Sequence, residues 1–328
     1  MHIGKWIKSA SLVAAAGIIL TGCGLAPAAS YVPVAGPGSI QPLPDLPDGA
    51  SMTVTSKNFT EQLVLGKIAV LAGQAAGFKV SDLTNVPGSQ PARKLLASGQ
   101  ASMMWDYTGT AWMTYLGHEE GIADQKEQWQ KVHDQDLGNN VLWGAPAPMN
   151  NTYAMAVRSE KVKDLGGISK SSQLKDLDAK DLTFCVDAEF NSRSDGLNPM
   201  LEHYGLKRGT SVPESNIGVY DTGAIYSATD AGACNFGEVF TTDGRIQALD
   251  LTVLEDDLGY FPAYNVAPVF NGEFVAKYPG IVDVFAKISP LLTDEALRAM
   301  NLEVDVNGRE SADVAFEWMV SKGLISEP

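Results

Sequence analysis

Residues 51–55, Ser-Met-Thr-Val-Thr, alternate polar and apolar with the period of two that a half-buried strand requires. After Ser56-Lys57-Asn58 the period lengthens. Leu63, Ile68, Leu71 and Ala75 fall on one face of a helix over 60–76, with Asn58 or Thr60 to cap it and Gly77 to stop it. A strand over 78–86 leads through Pro87-Gly88-Ser89 to a helix over 91–97, and 100–107 returns as a strand. This order predicts a parallel sheet with helices on its faces. After a helix near 125–137 the pattern resumes, with strands over 140–143, 152–157 and 182–186, helices near 197–204 and 224–233, and strands over 250–254 and 265–270. The tail, 273–324, is helical in outline with breaks at Pro279-Gly280 and Pro290. Two α/β units in one chain are implied.

Where the strand over 100–107 runs out, the chain reads Trp105-Asp106-Tyr107-Thr108-Gly109-Thr110-Ala111-Trp112. Three large aromatics around a glycine-permitted bend could be core. Ligands of open α/β sheets, however, sit beyond the carboxyl ends of strands. Tyr107 occupies such an end, as do residues 189–196 after the strand over 182–186, and this shared placement favours a site.

The first residues carry Lys5 and Lys8, then twelve uncharged residues over 9–20, then Leu20-Thr21-Gly22-Cys23. That run is too short to span a hydrocarbon core of about 30 Å as a helix, so 1–22 reads as a secretory signal. Its ending resembles the bacterial lipobox, which implies lipidation at Cys23. Residues 23–50 hold six prolines and no Lys or Arg after Cys23, the composition of a semi-extended tether without a core. The net charge is −15, and without the two signal lysines 22 basic face 39 acidic side chains, or −17. Nucleic acid and anionic lipid surfaces are therefore excluded as partners. With Cys23 assigned to lipid, Cys185 and Cys234 remain as an even pair that an oxidising compartment can join, two separate buried thiols being the alternative.

Catalytic chemistry finds little support. His118, His133 and His203 show no metal-binding spacing, the cysteines have no CxxC partners, and neither a GxSxG elbow nor a phosphate loop is present. Glu255-Asp256-Asp257 reads as a solvated turn, because adjacent side chains on an extended chain point apart. No catalytic residue, metal or cofactor is expected.

Six stretches carry a resemblance: TSKNFTEQLVLGK (55–67), WDYTGT (105–110), NNTYAMAVR (150–158), EFNSRSDG (189–196), FTTDGRI (240–246) and LEDDLGYFPAYN (254–265). In order and spacing they resemble the substrate-binding lipoproteins of osmoprotectant ABC importers, which take glycine betaine, carnitine, choline and related quaternary amines. The resemblance implies a type II periplasmic-binding-protein fold of the α/β class, two lobes joined by two crossover strands that form the hinge. Lobe I would comprise 51–151 plus 265–328 and lobe II 152–264. It also implies an aromatic cage of Tyr107, Tyr153, Phe240 and Tyr264, with Lys57, Thr110, Glu189 and Arg193 holding the polar end of the ligand. Phe240 stands where the family has a tyrosine, so a ring face is kept and a hydroxyl lost.

Physical chemistry asks for the same residue types. A trimethylammonium head has no N–H to donate, whereas the negative faces of aromatic rings attract it and accommodate its methyls. Two cations and the neutral hydroxyl of Thr110 rank glycine betaine first, with proline betaine, carnitine and choline after it. The implied partners are the transmembrane subunit of an ABC permease and, through lipid, the outer face of the plasma membrane; the protein is expected to be a monomer. The rivals are an amino-acid-like ligand without a quaternary nitrogen, and a sensor or enzyme subunit on the same scaffold.

Overall fold

The computed structural model describes residues 31–122 and 124–328. The expected signal over 1–22, the lipid site at Cys23 and the first part of the tether lie outside the described residues. The strands are β1 (Gly36–Pro37), β2 (Ser51–Lys57), β3 (Lys79–Val86), β4 (Met103–Tyr107), β5 (Val141–Trp143), β6 (Tyr153–Arg158), β7 (Phe184–Asp187), β8 (Ile217–Tyr220), β9 (Phe236–Phe240), β10 (Leu251–Val253), β11 (Val266–Asn271) and β12 (Ile325–Ser326).

Two five-stranded sheets result, ordered β3-β2-β4-β11-β5 and β10-β6-β9-β7-β8. In the first, β2 pairs parallel with β3 and β4. In the second, β7 pairs parallel with β8 and β9. The strands expected to be parallel throughout are not. β11 runs antiparallel to β4 and β5, and β6 antiparallel to β9 and β10. The reason is topological: β6 and β11 are the strands by which the chain first enters one sheet from the other, so each begins where its neighbour ends. Just before them, Asn150 and Asn265 form an antiparallel bridge that holds the two crossing segments side by side.

The helix α1 (Thr60–Ala75) departs from its expected one-sided burial. Val64, Leu65, Ile68, Ala69 and Ala72 are all fully buried, on more than one face. It is enclosed between the first sheet and the helices Asp294–Asp305 and Ser311–Ser321, so amphipathic spacing is not what its environment selects. Phe59, not Asn58 or Thr60, occupies its N-cap without a side-chain cap. Helix α2 (Ser89–Ala97) starts at Ser89 and carries Pro91 in its first turn, where a missing N–H costs nothing.

The described part of the Pro-rich stretch corrects the expectation of a tether outside the fold. β1 pairs antiparallel with β12, and the Ile40 N–H donates to the Leu324 carbonyl at 3.0 Å. Ile40 is buried, and the Leu43 N–H donates to the carbonyl of Ala76 at 3.0 Å, at the end of α1. Apolar residues three apart, Ile40, Leu43 and Leu46, turn this proline-rich stretch toward the core.

Cys185 of β7 and Cys234, two residues before β9, are joined in a disulfide across 49 residues. Closing a loop of that size in the unfolded chain is worth about 4 kcal/mol in the chain-entropy account. Among the described residues no helix is long and apolar enough to cross a membrane.

Candidate ligand-binding site between the two sheets

The Asn150–Asn265 bridge determines where the first rings stand. The Tyr264 N–H donates to Asn150 Oδ1 at 2.7 Å and the Asn151 N–H to the Tyr264 carbonyl at 3.3 Å, which brings Tyr264 beside the start of β6. Tyr153 and Tyr264 meet edge to face, with centroids 5.6 Å apart. In the β6–β9 register Tyr153 lies directly opposite Phe240, so their side chains share a face and their rings are 5.2 Å apart. Phe59 stacks on Phe240 at 5.0 Å and lies 6.1 Å from Tyr107 at the end of β4. The row Tyr264–Tyr153–Phe240–Phe59–Tyr107 is therefore continuous and draws on both sheets. Phe59 was not among the expected cage residues, although it stands inside the first of the six stretches. Phe190 and Phe261 back Tyr153 at 4.9 and 6.1 Å.

The eight residues around Gly109 divide their roles. Tyr107 joins the row; Trp105 is core, edge-on to Phe285; Trp112 donates its indole N–H to the Glu120 carbonyl at 2.8 Å and stacks on His118. Gly109 does not serve a bend. A Cβ there would stand 2.6 Å from ring atoms of Tyr264 and 2.8 Å from the Ala263 carbonyl oxygen, so glycine is needed because the ring lies against the backbone. Gly109→Ala is expected to displace Tyr264 and weaken ligand binding about ten-fold, roughly 1.4 kcal/mol, with a smaller change in thermal midpoint. Calorimetry of the variant checks it, and unchanged affinity refutes the role of the close contact.

The polar residues form two ion-paired groups. Lys57 Nζ lies 2.9 Å from Asp106 Oδ1, donates to Ser89 Oγ at 3.3 Å and sits 4.7 Å from the centre of the Tyr107 ring. Arg193 grips Asp195 through Nε and Nη2, both at 2.6 Å, and reaches Glu189 through Nη1 at 3.0 Å. Its guanidinium carbon is 5.4 Å from the Tyr153 ring centre. Tyr264 Oη donates to Asp195 Oδ2 at 2.6 Å. Glu189 also accepts from the Ser89 N–H at 3.0 Å and from its hydroxyl, a tie between the start of α2 and the short helix Ala188–Ser192 that follows β7. Burial alone would raise the Glu189 carboxyl; the charges of Lys57 and Arg193, with the Ser89 bonds, outweigh it and hold the group below its ordinary value. Burial works against the Arg193 charge as well, but Tyr153, Asp195 and Tyr264 outweigh it and hold the group well above its ordinary value. Thr110 is buried one turn beyond Tyr107. Thus Lys57, Tyr107, Tyr153, Glu189, Arg193, Phe240 and Tyr264 are joined through these contacts, while both expected cations are already partnered by carboxylates.

A family model described as the substrate binding domain of ABC-type glycine betaine transport system matches residues 50–321. The chain belongs to this family. It is 32% identical over 289 residues to the glycine-betaine-binding protein of Pseudomonas aeruginosa, covering 86% of this chain and 91% of that protein. It is 27% identical over 274 residues to the ergothioneine transport permease/ergothioneine binding protein EgtU of Helicobacter pylori, covering 83% of this chain and 48% of that protein. Among solved structures, that of a glycine betaine/carnitine/choline ABC transporter superposes with a TM-score of 0.66 at 24% identity, over 82% of this chain and 98% of that one. The type II periplasmic-binding-protein fold follows, and with it a transport family rather than an enzyme family.

Within this substrate-binding chain, residues beyond the rings position them. Tyr226 Oη accepts from the Phe240 N–H at 3.0 Å, steadying the ring that lacks its own hydroxyl. Asp256, read from sequence as part of a solvated turn, accepts from the N–H groups of Tyr260 and Phe261, both at 2.9 Å, and so builds the loop that sets Phe261 behind Tyr153.

Asp305 closes the helix Asp294–Asp305, where a carboxylate opposes the helix dipole, and lies 3.4 Å from Arg245, five residues beyond β9. Burial pushes its carboxyl up to about 6 against the pull of Arg245. A folded value above the unfolded one means stability that is complete below about pH 4 and is lost as pH rises through about 6. Asp305→Asn is expected to remove about 1–2 kcal/mol of that loss, allowing for partial solvent screening. The check is the urea midpoint, which should fall less from mildly acid to neutral pH in the variant than in the wild type.

Proposed function

We propose that the protein captures a quaternary-ammonium solute, glycine betaine first, between its lobes and delivers it to an ABC permease outside the cytoplasm. The row of five rings assembled from both sheets carries this reading. Each face contributes about 0.5–2 kcal/mol to a methylated cation, and after the entropy of association and closure a complex near micromolar, about −8 kcal/mol, is expected. Lobe I, 51–151 with 265–328, and lobe II, 152–264, rock about the crossings near 151 and 264. The rings pack against one another, so the lobes part to admit the ligand and close over it, favouring the closed state by differential affinity.

Choline is the second reading, and one observation favours it. Asp106, Glu189 and Asp195 surround two cations, Lys57 and Arg193, an excess of negative charge that suits a ligand carrying a net positive charge. Calorimetric titration with glycine betaine, carnitine, choline, proline and glycine separates the readings. Quaternary amines should bind at least about a hundred-fold more tightly than proline or glycine; the reverse order refutes the cage. The sequence Leu20-Thr21-Gly22-Cys23 supports anchoring by lipid at Cys23, and recovery of the mature protein entirely in the soluble fraction of lysed cells overturns the anchor.

A further inference from the structure

Two phenols in the ring row end on buried carboxylates: Tyr264 on Asp195, and Tyr107, whose Oη donates to Glu61 Oε1 at 2.7 Å. Resting on the quaternary-amine reading, we propose that Glu61 acts through Tyr107 as the positioning residue that sets the preference of the site for a positively charged head. Its carboxylate fixes the ring and enriches its face in electron density.

Glu61 stands in the first turn of α1 and is 2% exposed. Besides Tyr107 it accepts from Asn151 Nδ2 at 2.9 Å, Asn301 Nδ2 at 3.2 Å and the Thr242 hydroxyl at 2.5 Å. The amide nitrogens can only donate, and one addresses each carboxyl oxygen, a pattern that an ionised carboxylate satisfies. Burial pushes the group up from its ordinary value, with the hydrogen bonds from Thr242, Tyr107, Asn151 and Asn301 working against that. Burial, and then the charge of Glu61, hold the Tyr107 phenol well above its ordinary value, so it remains the donor. A phenol that donates to a carboxylate carries more negative charge on its ring, and the attraction of a ring for a cation is electrostatic. Phe59 and Phe240 have no hydroxyl through which to be tuned in this way. In the ring row Glu61 bonds to Tyr107, and its effect on the ligand passes through that phenol.

Three variants of the full chain test this: Glu61→Gln, Tyr107→Phe and the two combined. Each is titrated with glycine betaine and with tert-butylacetate, which keeps the carboxylate but has carbon in place of the charged nitrogen. Each single variant should lose about five- to ten-fold in glycine betaine affinity, with tert-butylacetate unchanged within about two-fold. The double variant should be no weaker than the weaker single one, since both act through one hydroxyl. Equal losses for the two ligands, or losses that multiply in the double variant, overturn the proposal in favour of a purely structural Glu61. If Glu61→Gln does not fold, Tyr107→Phe alone decides, and a selectivity ratio equal to that of the wild type overturns it. A wild type that binds no quaternary amine removes the ligand reading and this inference together. A wild type that binds glycine betaine while its variants match it removes this inference alone.

Discussion

Tyr153→Leu is expected to leave the protein folded, with a stability loss of about 1–3 kcal/mol, and to lower its affinity for glycine betaine at least a hundred-fold, about 2.7 kcal/mol. The ring of Tyr153 is the junction of the row. It is 9% exposed, pairs with Phe240, Phe190, Phe261 and Tyr264, and has the Arg193 guanidinium over it. Alanine would remove the face and also open a cavity costing about 3–5 kcal/mol, so it could not tell binding from folding. Leucine fills much of that volume without offering a π-face, which separates the two. Phenylalanine is the companion control, keeping the face and losing the hydroxyl, and should bind within about three-fold of the wild type. Thermal unfolding and calorimetry on the three proteins provide the comparison. Wild-type affinity in the leucine variant would reduce Tyr153 to a core residue.

Part of the candidate site was legible from hydrophobic period, which marks strand ends, and the rest only through the resemblance of the six stretches. Tyr107 was placed at a carboxyl end, and it lies at the end of β4. Other features escaped for definable reasons. Phe59 precedes a helix start, where period gives no facing, and its role depends on Phe240 arriving from a strand 181 positions later. Gly109 was read as a bend because glycine often is one; that a ring from residue 264 lies against it is a tertiary fact. The strand β8 was missed since its residues are half-exposed at a sheet edge and show no buried alternation. The packing of residues 36–50 was missed because composition reports proline content and not the groove that Ile40 finds. Lys57 and Arg193 were expected to hold the ligand from the family resemblance, yet their partners Asp106 and Asp195 stand one strand and two residues away, and nothing in a one-dimensional pattern says which charges will neutralise each other.

That pairing leads to the second large effect, Arg193→Met, which is expected to destabilise the protein by about 3–5 kcal/mol even without ligand. Arg193 and Asp195 side chains are 3% and 1% exposed. Solvent-facing pairs such as Lys131–Glu127, at 51% and 54%, are worth at most about 1 kcal/mol. The difference lies in what is left behind. Removing Lys131 leaves Glu127 in water, whereas removing Arg193 leaves Asp195 with the Tyr264 hydroxyl as its remaining side-chain donor at 2.6 Å, in surroundings that cannot solvate a carboxylate. The loss should therefore come from the stranded anion more than from the missing bonds, and Asp195→Asn in the same chain should restore most of it. Urea denaturation of both single variants and the double gives the coupling directly. A loss under about 1 kcal/mol for Arg193→Met would show that water reaches the pair. Failure of Asp195→Asn to rescue would place the cost elsewhere, in the Glu189 contact or in the packing of Arg193 on Tyr153. Rescue of folding without rescue of binding would mean that the guanidinium does more than neutralise Asp195: its two N–H bonds not spent on Asp195 and Glu189 are then the ones a bound carboxylate uses.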